Sequence, residues 1–410
     1  MRVCLMANQF PVVTQTWVVQ HAAGLLARGH EVVVVPIQAR RAEGDLATPA
    51  FEDVIARTRQ GPAAPRDSGL GRVADSARLL AAGTTLRRAA PMRFAFGRDG
   101  FAVQRFAHRL LCATRVARAA PFDVLHAHFG PTGVAAVALR DAGVFDAPVV
   151  CSFHGYDANV IAQQWPGCYD GMIGKAERVT AGTEVMRGVV EALGFPSADV
   201  AVWPQGVDTN AIAFRAEPRN ATNDFHAVSV ARLVDFKGID VSIRAVAAAR
   251  ARVSGLRYTI IGEGERRDDL ERLAKELAVD DIVTFAGAQS HDVVLATFAD
   301  ADVFLLTGRV DSEGQKEGQG VAPLEAGASG LPVIAARAGG LTEVVLDGET
   351  GILIDPEDYE AAAAAIVRLA DDVALRAALG AQGRQHVERS FSHAHSLDVI
   401  EEIYRSVGRT

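Results

Sequence analysis

The sequence predicts an α/β protein made of two parallel-sheet units, and three observations carry that expectation. Short apolar runs alternate with amphipathic stretches along the chain, as strands buried on both faces and covered by helices would. The 410 residues exceed what one core usually serves and suit two units of about 200 residues each. The composition, 49% apolar and 22% charged, is that of a packed chain and not of a disordered one.

In the first half, apolar runs place strands at residues 3–6, 32–36, 124–126, 149–153, 178–181 and 200–204. The first is followed by a stretch that would bury Val18, Val19, Ala22, Leu25 and Leu26 on one helix face. That helix would stop at Gly29, a residue suited to a helix C-terminus. In the second half, strands fall at 227–231, 258–261, 282–285, 303–306 and 333–335, and Leu270, Leu273 and Leu277 mark a helix among them. The polar stretch 215–224, Arg-Ala-Glu-Pro-Arg-Asn-Ala-Thr-Asn-Asp, reads as a linker. The expected division is 1–214, a linker at 215–224, 225–390, and a terminal segment 391–410.

The formal charge of −8 argues against nucleic acid as a partner. Cys4, Cys112, Cys151 and Cys168 show no paired spacing, and Cys4 and Cys151 sit in apolar strands. This points to reduced, buried thiols and a cytoplasmic location. The first strand begins at once, with no leader-like segment before it, and no apolar run approaches the ~20 residues needed to cross a bilayer. Residues 57–118 depart from the rest: thirteen arginines stand against three aspartates, a local balance of +10. Leu79, Leu80, Phe94, Phe96, Phe101, Phe106, Leu110 and Leu111 are interleaved, and on a helix Arg98, Arg105 and Arg109 share one stripe. The segment reads as a basic amphipathic surface that docks on an anionic membrane, on its cytoplasmic face, with roughly 1 kcal/mol from each basic residue. The plainer alternative is a solvated helix pair.

The chemistry concentrates in two places. Residues 317–325 read Glu-Gly-Gln-Gly-Val-Ala-Pro-Leu-Glu, two carboxylates eight positions apart across a glycine-bearing loop. Gly318 and Gly320 let backbone approach a ligand closely, and Pro323 opens a helix, which puts Glu325 in a first helical turn. Free amides, a helix start and two acceptors suit a phosphate joined to sugars, although a helix start also collects solvated acids. Residues 228–238 read Val-Ser-Val-Ala-Arg-Leu-Val-Asp-Phe-Lys-Gly, a buried strand running through Arg232 and Lys237 into a helix opened at Gly238. Loops at the carboxyl ends of such strands form the ligand crevice of α/β sheets, and two cations there would hold a diphosphate.

Together these residues resemble the retaining glycosyltransferases of family 4. The resemblance extends over Phe10-Pro11, His126-Ala127-His128-Phe129, Ser152-Phe153-His154-Gly155, Pro204-Gln205-Gly206-Val207-Asp208, Ile261-Gly262-Glu263-Gly264, Phe285-Ala286-Gly287 and Gly339-Gly340-Leu341-Thr342-Glu343. It implies the GT-B fold, two Rossmann-like doubly wound parallel-sheet domains facing across a cleft, with an acceptor-side first domain and a final helix that crosses back to it. It also implies transfer of a hexose from a UDP- or GDP-sugar to a saccharide or lipid-linked acceptor in polysaccharide or glycoconjugate synthesis, with anomeric configuration retained. No cofactor and no required metal are expected. By the same resemblance Glu317 binds donor-sugar hydroxyls, Glu325 the ribose hydroxyls, and His154 the donor sugar near the bond being broken. Gly318, Gln319, Gly320 and Val321 would supply backbone donors to the phosphates, and Gly287 and Ala288 would lie near the base. The acceptor side would involve Phe10, Thr14, Gln15, Thr16, His128 and Asp157. Two features depart from the pattern. A second Glu-Gly-Gln begins at Glu313, so the register rests on the spacing from Glu317 to Glu325, and Gln15 stands where many relatives carry Glu.

Other constellations weigh less. His126 and His128 could point to one face of a strand as metal ligands, but no cysteine or carboxylate lies at ligand spacing. Asp300-Ala-Asp302 spells a possible Mg²⁺-diphosphate site, yet it directly precedes a strand and reads more simply as the end of a helix. Gly262-Glu-Gly264 lacks the third glycine of a dinucleotide fingerprint, Arg267 standing in its place. The competing activities are a nucleotide-sugar epimerase-hydrolase, which would act without an acceptor, and a two-lobed sugar-binding protein, which would release no nucleotide.

Overall fold

The computed structural model describes residues 1–10, 16–38, 54, 106–217, 219 and 224–408. The chain divides into two compact units, one of Met1–Ala181, Arg187–Trp203 and Leu397–Thr410, the other of Gly182–Met186 and Pro204–Ser396.

The first unit is built on six parallel strands, β1 (Arg2–Gln9), β2 (Glu31–Gln38), β3 (Val124–His128), β4 (Val149–Ser152), β5 (Arg178–Ala181) and β6 (Val200–Val202), in the order β2-β1-β3-β4-β5-β6. Helices α1 (Thr16–Ala27), α2 (Phe106–Ala119), α3 (Gly130–Asp141) and most of α4 (Glu184–Ala192) accompany them. The alternation along β1 sends Val3 and Leu5 into a cluster with Val18, Ala22 and Leu25 of α1. That cluster also takes Leu397, Ile400, Ile403 and Tyr404 from the last helix. Gly29, with φ at 84°, takes the left-handed conformation two residues past α1.

The second unit has β7 (Phe225–Val230), α5 (Ile239–Ala249), β8 (Leu256–Ile261), α6 (Arg267–Glu276), β9 (Val283–Gly287), α7 (His291–Asp300), β10 (Val303–Leu306), α8 (Val321–Ala328), β11 (Val333–Ala336), α9 (Leu341–Val344), β12 (Gly351–Ile354), α10 (Tyr359–Asp371) and α11 (Val373–Ser390), before α12 (His393–Val407). Its parallel sheet runs β12-β11-β10-β7-β8-β9, the winding of a dinucleotide-binding fold. Apolar clusters cover both faces, one around Ile243, Val246 and Ile366, the other around Phe298, Phe304 and Leu324.

Every strand read from the sequence is present. The twelfth, β12, was not anticipated, because four residues after a turn carry too little periodicity to announce a strand. The division falls after Trp203. Within the stretch read as a linker, the Arg215 guanidinium donates to the carbonyls of Ala299 and Ala301, and Arg219 donates to that of Asp300. These arginines hold the described part of 215–224 against the end of α7. Of the basic segment, residues 57–105 lie outside the described residues. Leu110 and Leu111 in α2 are buried, and Arg115 is buried too, donating to the Pro36 carbonyl at 3.3 Å. These three therefore build the first unit's core and form no part of a membrane-facing surface.

Candidate functional site

In the second sheet the strand order reverses between β7 and β10, and the loops leaving those strands meet at that point. Gly238 makes the meeting possible. Its φ is +65°, and a Cβ built there would stand 1.9 Å from the Thr307 carbonyl oxygen. The Thr307 hydroxyl donates to the Gly238 carbonyl at 2.6 Å. Backbone thus lies on backbone, and Lys237, one residue earlier, forms an ion pair with Glu317 in which both side chains are largely buried. Phe236 lies beneath the two cations, its ring centre 5.1 Å from Lys237 Nζ and 5.8 Å from Arg232 Cζ. Among the described residues no carboxylate pairs with Arg232, so its guanidinium donors are unspent while Phe236 orients it.

Gly262 and Gly264 have a structural use. Added Cβ atoms would come within 1.9 Å of the Ala231 carbonyl oxygen and 2.3 Å of that of Leu233. Only glycines let the loop after β8 press on the segment carrying Arg232. Gly339 and Gly340 do the same for the 317–320 loop, where Cβ atoms would lie 2.1 Å from the carbonyl oxygens of Glu317 and Gly318. The Gly340 N–H donates to the Glu317 carbonyl at 3.0 Å, and the Thr183 hydroxyl to that of Gly318, also at 3.0 Å.

Helix α8 starts at Val321 on Gly320, whose φ is 89°, so Pro323 is its third residue and Glu325 lies beyond the first turn. This corrects the expectation that Pro323 opens the helix. Gly320 takes the start because it alone tolerates the entry angle. Glu325 accepts from His291 Nε2 at 2.9 Å, and that bond holds the His291 imidazole above its ordinary pKa. Gly287, with φ at 69°, is the last residue of β9, and Ala288 follows it shortly before α7. The Gln319 amide is committed elsewhere: its oxygen accepts from the Gln205 N–H at 2.8 Å and its nitrogen donates to the Gln205 carbonyl at 2.7 Å. Glu313 is exposed, on a turn organised by Asp311. Asp302 is buried, accepting from the His226 N–H and from Arg219, and Asp300 pairs with Arg257.

The first unit has its own reversal of strand order, between β1 and β3. His154 follows β4 and packs its ring on Phe129 at 4.7 Å and Trp17 at 5.6 Å. Its Nε2 bonds His128 Nδ1 at 3.1 Å. His128 is fully buried, with its Nε2 bonded to His21 Nδ1 at 3.2 Å. Burial lowers the His154 pKa to about 3 and puts His126 and His128 well below the usual histidine range, their neighbouring imidazoles adding to the effect. Asp157 is also turned inward. Its carboxylate accepts from the N–H groups of Gly130 and His154 at 2.8 and 2.9 Å, while burial raises its pKa to about 6. Its place is to tie the start of α3 to the end of β4. Phe10 belongs to the apolar core. Of the residues expected on the acceptor side, Phe10, His128 and Asp157 therefore have structural places, since core packing and buried hydrogen bonds already use them. Thr14 and Gln15 lie outside the described residues, and Thr16 begins α1.

Residues 211–386 match the model of the glycosyl transferases group 1, and residues 14–211 that of glycosyltransferase family 4. WcaL of Salmonella typhimurium, named as a colanic acid biosynthesis glycosyltransferase, is 30% identical over 89% of each chain. The chain belongs to the family 4 glycosyltransferases. The amylovoran biosynthesis glycosyltransferase AmsK of Erwinia amylovora is 27% identical over 98% of this chain and 99% of its own. The crystal structure of Anabaena Alr3699/HepE in complex with UDP and glucose superposes with a TM-score of 0.68 at 17% identity, covering 98% of this chain and 99% of the other. The fold is GT-B, and the protein is a glycosyltransferase.

For this glycosyltransferase the structure brings Arg232, Lys237 and Glu317 together at the β7/β10 reversal. It places Glu325 on α8 with His291, and His154 at the rim of the first sheet. Sequence reading missed His291, His21 and Tyr404. His21 was legible in principle: it stands three residues after Val18 and four before Leu25, a polar residue on the buried face of α1. Tyr404 gave no signal, since an aromatic among Leu397, Ile400 and Val407 reads as core.

Proposed function

We propose that this glycosyltransferase takes a hexose from a UDP- or GDP-sugar and passes it, with retention of configuration, to a saccharide or lipid-linked acceptor in exopolysaccharide synthesis. The observation that carries the reading is the set of Arg232, with unspent donors, beside the Lys237–Glu317 pair at the strand-order reversal. Breaking a sugar–phosphate bond leaves negative charge on the diphosphate. Arg232 and Lys237 stabilise that charge, and the backbone N–H groups of residues 318–321 add to them. With Lys237 turned to phosphate, Glu317 accepts from sugar hydroxyls. Glu325 takes the ribose hydroxyls and His154 serves the transferred sugar.

The bond from the anomeric carbon to the leaving phosphate oxygen breaks as the acceptor oxygen bonds the same face of that carbon. The acceptor's proton passes to the departing phosphate oxygen. Two cations meet the charge, so the reaction requires no metal, and EDTA is expected to leave the rate unchanged. Restoration of a lost rate by Mn²⁺ would overturn that part. The names of WcaL and AmsK support an exopolysaccharide product, and the UDP-bound HepE supports a nucleotide donor.

The basic stretch N-terminal to α2 holds the enzyme reversibly on an anionic membrane surface; among the described residues no helix is long and apolar enough to cross one. Co-sedimentation with anionic but not neutral vesicles tests this, and equal binding to both removes it. The central test is a thermal-shift screen across nucleotide sugars followed by assay of UDP or GDP release. A protein stabilised by no nucleotide sugar, or one releasing nucleotide equally well with and without acceptors, would refute the assignment.

A further inference from the structure

A glutamate on a helix does not aim itself. Its side chain turns about several bonds, and freezing such a chain when a ligand binds weakens the complex. At Glu325 that freedom is already removed. His291 Nε2 donates to Glu325 Oε1 at 2.9 Å, and among the described residues no lysine or arginine pairs with this carboxylate. Its second oxygen, Oε2, makes no hydrogen bond among the described residues, and each carboxylate oxygen can accept twice. The glutamate is therefore held at one oxygen and open at the other. The Glu325 side chain is 13% exposed and that of His291 54%. A carboxylate so far out of water needs a donor beside it, and His291 supplies one.

The fold fixes where the ring stands. Strand β9 ends at Gly287, and the Gln289 side chain turns back to donate to the Ala286 carbonyl. Ser290 caps α7, its side chain accepting from the Val293 N–H. His291 is thus the first helical residue, and Val294 and Phe298 follow it on the same stripe, three and seven positions on. Those two pack in one cluster with Leu324, Ala326 and Ala328 of α8. The face that joins α7 to α8 carries His291 to Glu325.

Helix α7 itself does not ask for a histidine there. A first helical turn favours acids, such as Asp292, and works against a ring that gains positive charge. The bond to Glu325 nonetheless raises the His291 pKa, with partial burial opposing the rise and Asp292 adding to it. An ionised carboxylate only accepts, so Nε2 carries its hydrogen whether the ring is neutral or charged, and the hold on Glu325 persists in both states.

We infer that His291 is a positioning residue for the donor: it fixes Glu325 with Oε2 open to the ribose hydroxyls, and so makes the site select ribonucleoside over deoxyribonucleoside diphosphates. The inference rests on the reading that Glu325 takes the ribose.

The test is calorimetric titration of the full chain with UDP, GDP and their 2′,3′-dideoxy counterparts, in wild type, Glu325→Ala, His291→Ala, His291→Phe and His291→Gln. For the nucleotide that binds, wild type should favour the ribose form at least about tenfold, through charge-assisted bonds to the carboxylate. Glu325→Ala should abolish that preference. His291→Ala should weaken the ribose form about fivefold, within the factor of roughly 2 to 12 that ordering one free side chain costs, and leave the dideoxy form unchanged. His291→Phe keeps a ring without a donor and carries the same expectation, so the test stands if one variant fails to fold. His291→Gln keeps an N–H at similar reach and should recover most of the loss. Equal weakening of both forms in His291→Ala and His291→Phe would mark a packing or general electrostatic role and overturn the inference. Tighter binding of the ribose form in those variants would also overturn it, since His291 would then compete with ribose for Glu325. In both cases the Glu325 reading survives if Glu325→Ala loses the preference. A preference that persists in Glu325→Ala, or no binding of either nucleotide, instead refutes that reading and takes the inference with it.

Discussion

Replacing Gly238 by alanine is expected to cost about 2–5 kcal/mol, and the structure supplies the parts of that sum. A left-handed conformation at φ +65° costs a residue with a Cβ about 1–2 kcal/mol. The new methyl would stand 1.9 Å from the Thr307 carbonyl oxygen, where real contacts do not come under 3.0 Å, so two packed loops must part. Their parting breaks the bond from the Thr307 hydroxyl to the Gly238 carbonyl, which adds about 1–3 kcal/mol in a buried setting. Gly143 provides the control. Its φ is +78°, but an added Cβ would meet nothing within 4 Å, so Gly143→Ala should show the backbone term alone, about 1–2 kcal/mol. Urea denaturation of the two variants gives the difference directly. The same displacement moves Lys237 off Glu317, so Gly238→Ala should also lose nucleotide affinity while Gly143→Ala keeps it. Equal destabilisation by the two substitutions would refute the claim that loop-to-loop contact at Gly238 builds the site.

Lys237→Ala and Glu325→Ala should each lower kcat/KM at least about tenfold, or ~1.4 kcal/mol, and near-wild-type turnover in both would remove the site assignment. Acidification should destabilise the first unit. His126, His128 and His154 have folded pKa values below their unfolded 6.5, so the stability they contribute is present above about pH 6.5 and lost as pH falls below it, by about 1.4 kcal/mol per pH unit for each group fully engaged. Asp157, raised to about 6, takes up its proton in the folded protein and softens that slope. Melting temperatures flat or rising from about pH 7 to pH 5 would contradict buried neutral imidazoles. Gln319→Ala removes both bonds to the Gln205 backbone and should cost about 1–3 kcal/mol, with faster proteolytic nicking near Gln205 as the readout.

Much of this was legible because α/β folds advertise themselves locally. A strand such as Val303–Leu306 is a run of apolar residues, and Gly29 marks the end of its helix by composition alone. The Lys237–Glu317 pair could be anticipated as two chemistries at one sheet edge, since both residues sit on loops whose place the strand order dictates. What could not be read were long-range commitments. The glycine loop suggests a backbone role for Gln319, but nothing in it announces that Gln205, far away in sequence, takes both ends of its side-chain amide. His128 ends β3 and Asp157 lies in the turn that follows β4, near where ligands bind such sheets, yet burial and neighbouring N–H groups or rings already satisfy them. Local sequence gives a side chain's address and not its partner. The buried histidines are the extreme case: His21 of α1 bonds His128 of β3, and Tyr404 of α12 bonds both His21 and His126.

The last helix has a consequence for how the molecule is made. Residues 397–408 complete the first unit: Arg28 and His30, at the end of α1, pair with Asp398 and Glu401 of α12, and Tyr404 enters the core built by β1 and α1. A ribosome delivers those residues only after the whole second unit has emerged. The half encoded first must therefore wait, its sheet missing one covering helix, while the half encoded later can finish ahead of it. A stop codon directly after Ser396 would leave the second unit's sheet intact and strand the first as an aggregation-prone intermediate.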